Sequence, residues 1–236
     1  WLVTTALIHV LILQKKTQHL LVLALALCIT SFFFSFFGTF ITRSGVISSV
    51  HSFAESNIGP HYLGFLTFFA ISSSCLFFFR FQDLRSPIVM QKWNFSKESF
   101  ILSAVFLLLS FFVVVVIGTI YPIISEIFTG SRFNIQAPYF NSFAPCFGLS
   151  MAAMIALSQL VSYRRSSVKK SLTIFFKLSA WSSIPAMLFC YKADVFNSNG
   201  WTLGVQVVGI WLAFWTCLSL FYELSKRFKK YNFSLK

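Results

Sequence analysis

Six mostly apolar stretches recur along the chain, at 20–42, 63–79, 100–121, 143–163, 172–191 and 201–222, and a shorter one occupies 1–13. A helix needs about 20 such residues to cross the hydrocarbon core of a bilayer. Apolar residues surround each stretch on all sides instead of forming one stripe, as lipid-facing or bundle-core helices require. The pattern therefore predicts an all-α membrane protein. It is a polytopic bundle of six full transmembrane helices plus a partial N-terminal one, in a single domain over 1–236. Two prolines punctuate it. Pro122 in "GTIYP" predicts a helix end, because proline removes a rung of the backbone ladder. "APYFNSFAP", Ala137 to Pro145, reads as an aromatic, proline-rich re-entry with Tyr139 and Phe140 at the interface.

Charge orients the bundle. The segment 14–19 holds Lys15 and Lys16, and 80–98 holds Arg80, Arg85, Lys92 and Lys97. The segment 164–177 holds Arg164, Arg165, Lys169, Lys170 and Lys177, and the tail holds Lys226, Arg227, Lys229, Lys230 and Lys236. These alternate loops carry 16 of the 19 basic residues; the other loops hold only Arg43, Arg132 and Lys192. Basic loops stay on the cytoplasmic side of a membrane. The C-terminus is thus expected on the matrix or cytoplasmic side, and the loop 43–62 on the outer face. The net charge of +13 is accounted for by cations beside anionic headgroups. It does not call for nucleic acid, since no compact base-reading surface is present.

Composition agrees with the membrane class: 57% hydrophobic, 11% charged, with a mean hydropathy of +0.77. Phe fills 32 of the 236 positions. Its codons are AT-rich, which hints at an organellar genome. "WLVTTALIHVLIL" has no basic n-region and no cleavage site, so it reads as the second half of a helix and not as a signal peptide. A fragment, a processed product and one piece of a split protein all fit that reading. Cys28, Cys75, Cys146, Cys190 and Cys217 lie in or beside apolar runs without a C-x-x-C pair. The favoured reading is small buried hydrophobes; a Cys146–Cys190 bridge is the alternative. The lack of C-x-x-C-H excludes a c-type cytochrome. The six carboxylates are too dispersed for a paired acid and base.

Histidine is the residue type that stands out. His9 lies in "TTALIHVLIL", and an intramembrane histidine is a functional candidate by default. It suits either a hydrogen bond to a neighbouring helix or axial ligation of heme iron. His51 lies in "SGVISSVHSF", among small and apolar residues with no charge before Glu55. Such a segment can lie over an outer cavity and offer its imidazole to a ligand; a solvated loop histidine is the plainer reading. Arg43, the one cation of that loop, could pair with a heme propionate or simply anchor the interface. His19 reads as solvated interface, and His61, after Gly59-Pro60, as a residue capping the next span.

These segments also carry a resemblance. "GTFITRSGVISSVHSFA" resembles the signature of the CcmF family, the heme lyase of the multi-subunit cytochrome c maturation pathway. "WLVTTALIH", "GTIYPIISEIFTG" and "PYFN" resemble further family segments in the same order. The match covers about 1–150; beyond about 165 it is mostly hydropathy. The resemblance implies that His9 ligates an embedded b-type heme. It implies that His51 helps hold heme, delivered by the heme chaperone, while that heme is joined to apocytochrome c. The family's tryptophan-rich motif would lie upstream of Trp1, and the opposing histidines are not in this sequence. The expectation is one piece of a split heme lyase in the mitochondrial inner membrane, inactive alone, with a bacterial plasma membrane as the lesser alternative. A structural or transport subunit without heme, or a plain b-type electron-transfer subunit, are the rival classes.

Overall fold

The computed structural model describes residues 1–17, 19–44, 58–84, 95–161, 168–197 and 200–234. Helices account for nearly all of them: α1 (Leu2–Thr17), α2 (Leu21–Arg43), α3 (Gly59–Leu84), α4 (Lys97–Thr129), α5 (Ala137–Leu160), α6 (Val168–Lys192) and α7 (Gly200–Ser234), with a 3-10 turn at Val195–Asn197. Six of these, α2 to α7, are long and apolar enough to cross a membrane. Each candidate span buries only 6–17% of its residues inside the chain. Their backbones are satisfied within each helix, as hydrocarbon demands, while most of their side chains remain open to lipid or further protein.

Pro122 does not end a helix. α4 runs through it to Thr129. Ending there would leave four carbonyls without partners, whereas proline inside the helix forfeits one bond. The helix stops at Gly130, whose φ of +67° is the left-handed conformation that glycine adopts without strain. Gly130 N–H donates to Glu126 O at 3.0 Å, and Arg132 donates twice to the Glu126 carboxylate, at 2.6 and 2.9 Å. Ala137–Pro145, expected as the chain's re-entry, is helical throughout. It forms the opening turns of α5, with Pro138 in the first turn, where a missing N–H costs nothing. Nor are the cysteines mostly buried: Cys28, Cys75, Cys146 and Cys217 are exposed and only Cys190 is buried. All five are free thiols, so Cys146 and Cys190 are not bridged.

The chain divides into two compact units, Trp1–Met90 with Leu108–Asn141, and Gln91–Leu107 with Ser142–Lys236. In the first, Val3, Ala6, Val10 and Leu13 form the buried stripe of α1 against α2. The Gln14 side chain accepts the Leu20 N–H and ties the short turn between them. Phenylalanines join α2 to α3, with ring centroids of Phe32 and Phe69 4.7 Å apart and of Phe36 and Phe65 5.1 Å apart. Phe34 meets Phe112 of α4 edge-on at 4.7 Å.

In the second unit α5, α6 and α7 share a core of Ala156, Leu212 and Trp215. Trp215 stacks on Trp211 at 5.4 Å and receives the edge of Phe175 at 4.7 Å. Trp211 Nε1 donates to Ser179 O at 3.5 Å. These pairs run in opposite chain order, so α6 and α7 are antiparallel here. Trp215 Nε1 is buried and finds no acceptor among the described residues.

Candidate functional site

His9 lies in the middle of α1, half-buried, beside the stripe formed by Ala6, Val10 and Leu13. Its Nδ1 is 2.8 Å from Thr5 O, one helical turn earlier. A carbonyl only accepts, so Nδ1 carries the proton of this bond. In the neutral ring Nε2 then holds a lone pair directed away from α1's backbone. This is the arrangement by which proteins fix the tautomer and orientation of a metal-binding imidazole. One turn of helix thus supplies both the ligand and the group that sets it.

Arg43 is the last residue of α2 and is exposed. Beside it, Ser44 meets Gly59, the first residue of α3. A Cβ at position 59 would stand 3.3 Å from Ser44 Cβ. The ends of α2 and α3 are therefore in contact, and the chain leaves and returns at one place. His61, exposed in the first turn of α3, shares that end with Arg43. His51 lies outside the described residues. His19 is exposed in the turn between α1 and α2, at the opposite end of the pair.

Two cavities flank the Phe34–Phe112 contact. One, of about 460 Å³, has a polar wall of Thr4, Cys28, Ser31 and Ser35, with Thr4 and Ser31 hydroxyls 2.5 Å apart. The other, of about 370 Å³, is apolar and lies between Gly38 and Ile41 of α2 and Val116 and Ile120 of α4. Trp1 borders both. His9 lines neither. It projects from the opposite flank of the α1 stripe, so the structure does not gather His9, Arg43 and a cavity into one site. Among the described residues no three His, Cys, Asp or Glu side chains converge on a common point.

A feature not anticipated from sequence sits at the same end of the first unit as Arg43. Any Cβ at Gly118 would lie 2.7 Å from Tyr139 Cε1 and 2.9 Å from Phe140 Cε1. The two aromatic rings fill the notch that glycine leaves in α4, and Tyr139 Oη donates to Val114 O at 3.2 Å. "GTIYP" and "PYFN" thus meet in space: one supplies the notch and the other the rings that fill it. Only a glycine one helical turn before Pro122, in an apolar run, could have hinted at this.

The six long apolar helices define the class: a polytopic α-helical membrane protein. No family model matches the chain. The cytochrome c-type biogenesis protein CycK of Rhizobium meliloti (strain 1021) is 30% identical over 213 residues, covering 88% of this chain and 31% of that protein. The cytochrome c-type biogenesis protein CcmF of Escherichia coli (strain K12) is 27% identical over 231 residues, covering 98% of this chain and 35% of that protein. A solved structure of the cytochrome c heme lyase CcmF superposes with a TM-score of 0.65 over 96% of this chain and 31% of that one, at 21% identity, which establishes the fold. The chain belongs to the CcmF family of cytochrome c-type biogenesis proteins. It spans about a third of the length of the curated relatives it matches. The likeness also runs well past residue 165, further than the sequence motifs alone extend.

Proposed function

We propose that this chain is a membrane subunit of a cytochrome c heme lyase. In this reading the outer loop, through His51 and Arg43, holds substrate heme for covalent attachment to apocytochrome c. His9 ligates an embedded b-type heme. The observation that carries the reading is the His9 geometry. An intramembrane imidazole whose Nδ1–H is bound to Thr5 O offers Nε2 to iron, in a chain related along nearly its whole length to cytochrome c biogenesis proteins.

The division of labour follows from chemistry. The embedded heme supplies electron transfer when bound, and is suited to keeping substrate iron ferrous. The chain's own work is positional. Thr5 holds the His9 ring, and the α2–α3 contact at Ser44 and Gly59 fixes where the His51 segment leaves and rejoins the bundle. The guanidinium of Arg43, at the head of that segment, can grip a propionate with two parallel hydrogen bonds. Attachment then joins two thiols of apocytochrome c to the two vinyl groups of heme. Most of the acceleration comes from holding the partners in place.

His9 lines neither of the two cavities beside Phe34 and Phe112, and in this reading each heme has one histidine from this sequence. The opposing ligands and the tryptophan-rich motif are therefore assigned to other segments of the lyase, with the heme chaperone as donor. The phenylalanine-rich composition favours the mitochondrial inner membrane and a split lyase. Loss of His51 tests the substrate role. With His51→Ala in an otherwise intact complex, the yield of holocytochrome c should fall at least tenfold while the subunit accumulates normally. An unchanged yield removes His51 from the reaction.

A further inference from the structure

α7 is longer than a membrane requires. Its 35 residues extend about 52 Å at ~1.5 Å per residue, against a hydrocarbon core of about 30 Å. Counted from Gly200, the excess falls on the last four turns. There Phe221, Leu224 and Phe228 recur at helical spacing and are 67%, 40% and 66% exposed. Lys226 and Arg227 stand among them with exposed side chains, and the sequence continues with Lys229 and Lys230. An exposed apolar stripe on a basic helix is unstable in water, and fits the boundary between acyl chains and headgroups.

A second helix brings charge to the same place. Phe175 of α6 meets Trp215 of α7, and the two helices run antiparallel. Lys169, exposed in the first turn of α6, therefore lies level with Phe221, where the overhang begins. One carboxylate pairs with both Lys226 and Arg227. Glu223, 19% exposed, lies 3.1 Å from Arg227 Nε and 3.9 Å from Lys226 Nζ.

We propose that the C-terminal overhang of α7, with Lys169 of α6, is a binding site for anionic phospholipid headgroups. Phe221, Leu224 and Phe228 seat it in the acyl boundary, and Glu223 competes with lipid phosphate for Lys226 and Arg227. The inference stands apart from the heme reading, since it rests on helix length, amphipathicity and charge.

The test uses the full chain in neutral detergent, titrated with phosphatidylglycerol or phosphatidylcholine. Retained lipid is counted by native mass spectrometry, and thermal unfolding is followed in parallel. Phosphatidylglycerol should be retained preferentially and raise the unfolding temperature, an effect that 0.5 M salt weakens. Each of Lys169→Gln, Lys226→Gln and Arg227→Gln should weaken its binding by roughly fivefold. Glu223→Gln should strengthen it, which a merely structural ion pair would not do. Equal retention of the two lipids overturns the proposal, as does weaker binding in Glu223→Gln. Should one of these glutamine variants fail to fold, Glu223→Gln and the salt dependence decide alone.

Discussion

Gly118 is a glycine because two aromatic rings occupy the space where a side chain would begin. Tyr139 and Phe140 approach to 2.7 and 2.9 Å of a Cβ built there, closer than carbon atoms tolerate. Gly118→Ala should therefore push the start of α5 off α4 at a cost of roughly 1–3 kcal/mol. Thermal unfolding in detergent checks this. A variant that unfolds at the wild-type temperature would mean the rings are not locked. His9 is a different case, in which one hydrogen bond selects a tautomer. Thr5→Val leaves helical Thr5 O in place, so any ligand function should survive it; the carbonyl, not the hydroxyl, holds the ring. A histidine within an apolar run was visible in the sequence as an anomaly. The carbonyl that orients it was not, because backbone partners leave no mark on residue identity. His51 was singled out by its flanks, but its setting lies outside the described residues.

At the scale of elements, the spans were legible because apolar length is a one-dimensional property. The six expected runs correspond to α2 through α7, and the partial run at 1–13 to α1. Punctuation was not so legible. Proline ends helices in water, where an unpaired carbonyl finds solvent, but in hydrocarbon it is cheaper to continue past it. Hence α4 passes Pro122 and stops at Gly130 instead. The cysteines were misjudged for a related reason. An apolar neighbourhood implies burial only where a chain covers its own helices, and these spans bury few of their residues. The Gly130 cap yields a prediction of its own. Gly130→Ala places a Cβ at φ +67° and should destabilise the end of α4 by about 1 kcal/mol. Faster hydrogen exchange at the amides of 126–130 would register it; unchanged exchange would show that the left-handed cap contributes nothing.

For the whole molecule, charge sets the direction in the membrane. Within the first unit Lys15, Lys16 and Arg80 lie at one end of the helices, and Arg43 and Arg132 at the other. Within the second, Lys169 and Lys226 share an end. The positive-inside rule then sets Ser131 outside and Ser225 inside. With the native cysteines replaced by serine, an impermeant maleimide added from outside should label Ser131→Cys and leave Ser225→Cys unmodified. The reverse pattern would invert the account and put the His51 loop on the wrong face. Spans so sparsely covered leave much of their helix surface open to lipid or further protein.

The most direct measurement is the reduced-minus-oxidised absorbance spectrum of the purified complex carrying His9→Gly, with and without added imidazole. The account predicts loss of the b-type bands and of the associated heme, with partial return when imidazole fills the vacated position. A variant with the wild-type spectrum and heme content, indifferent to imidazole, would contradict it.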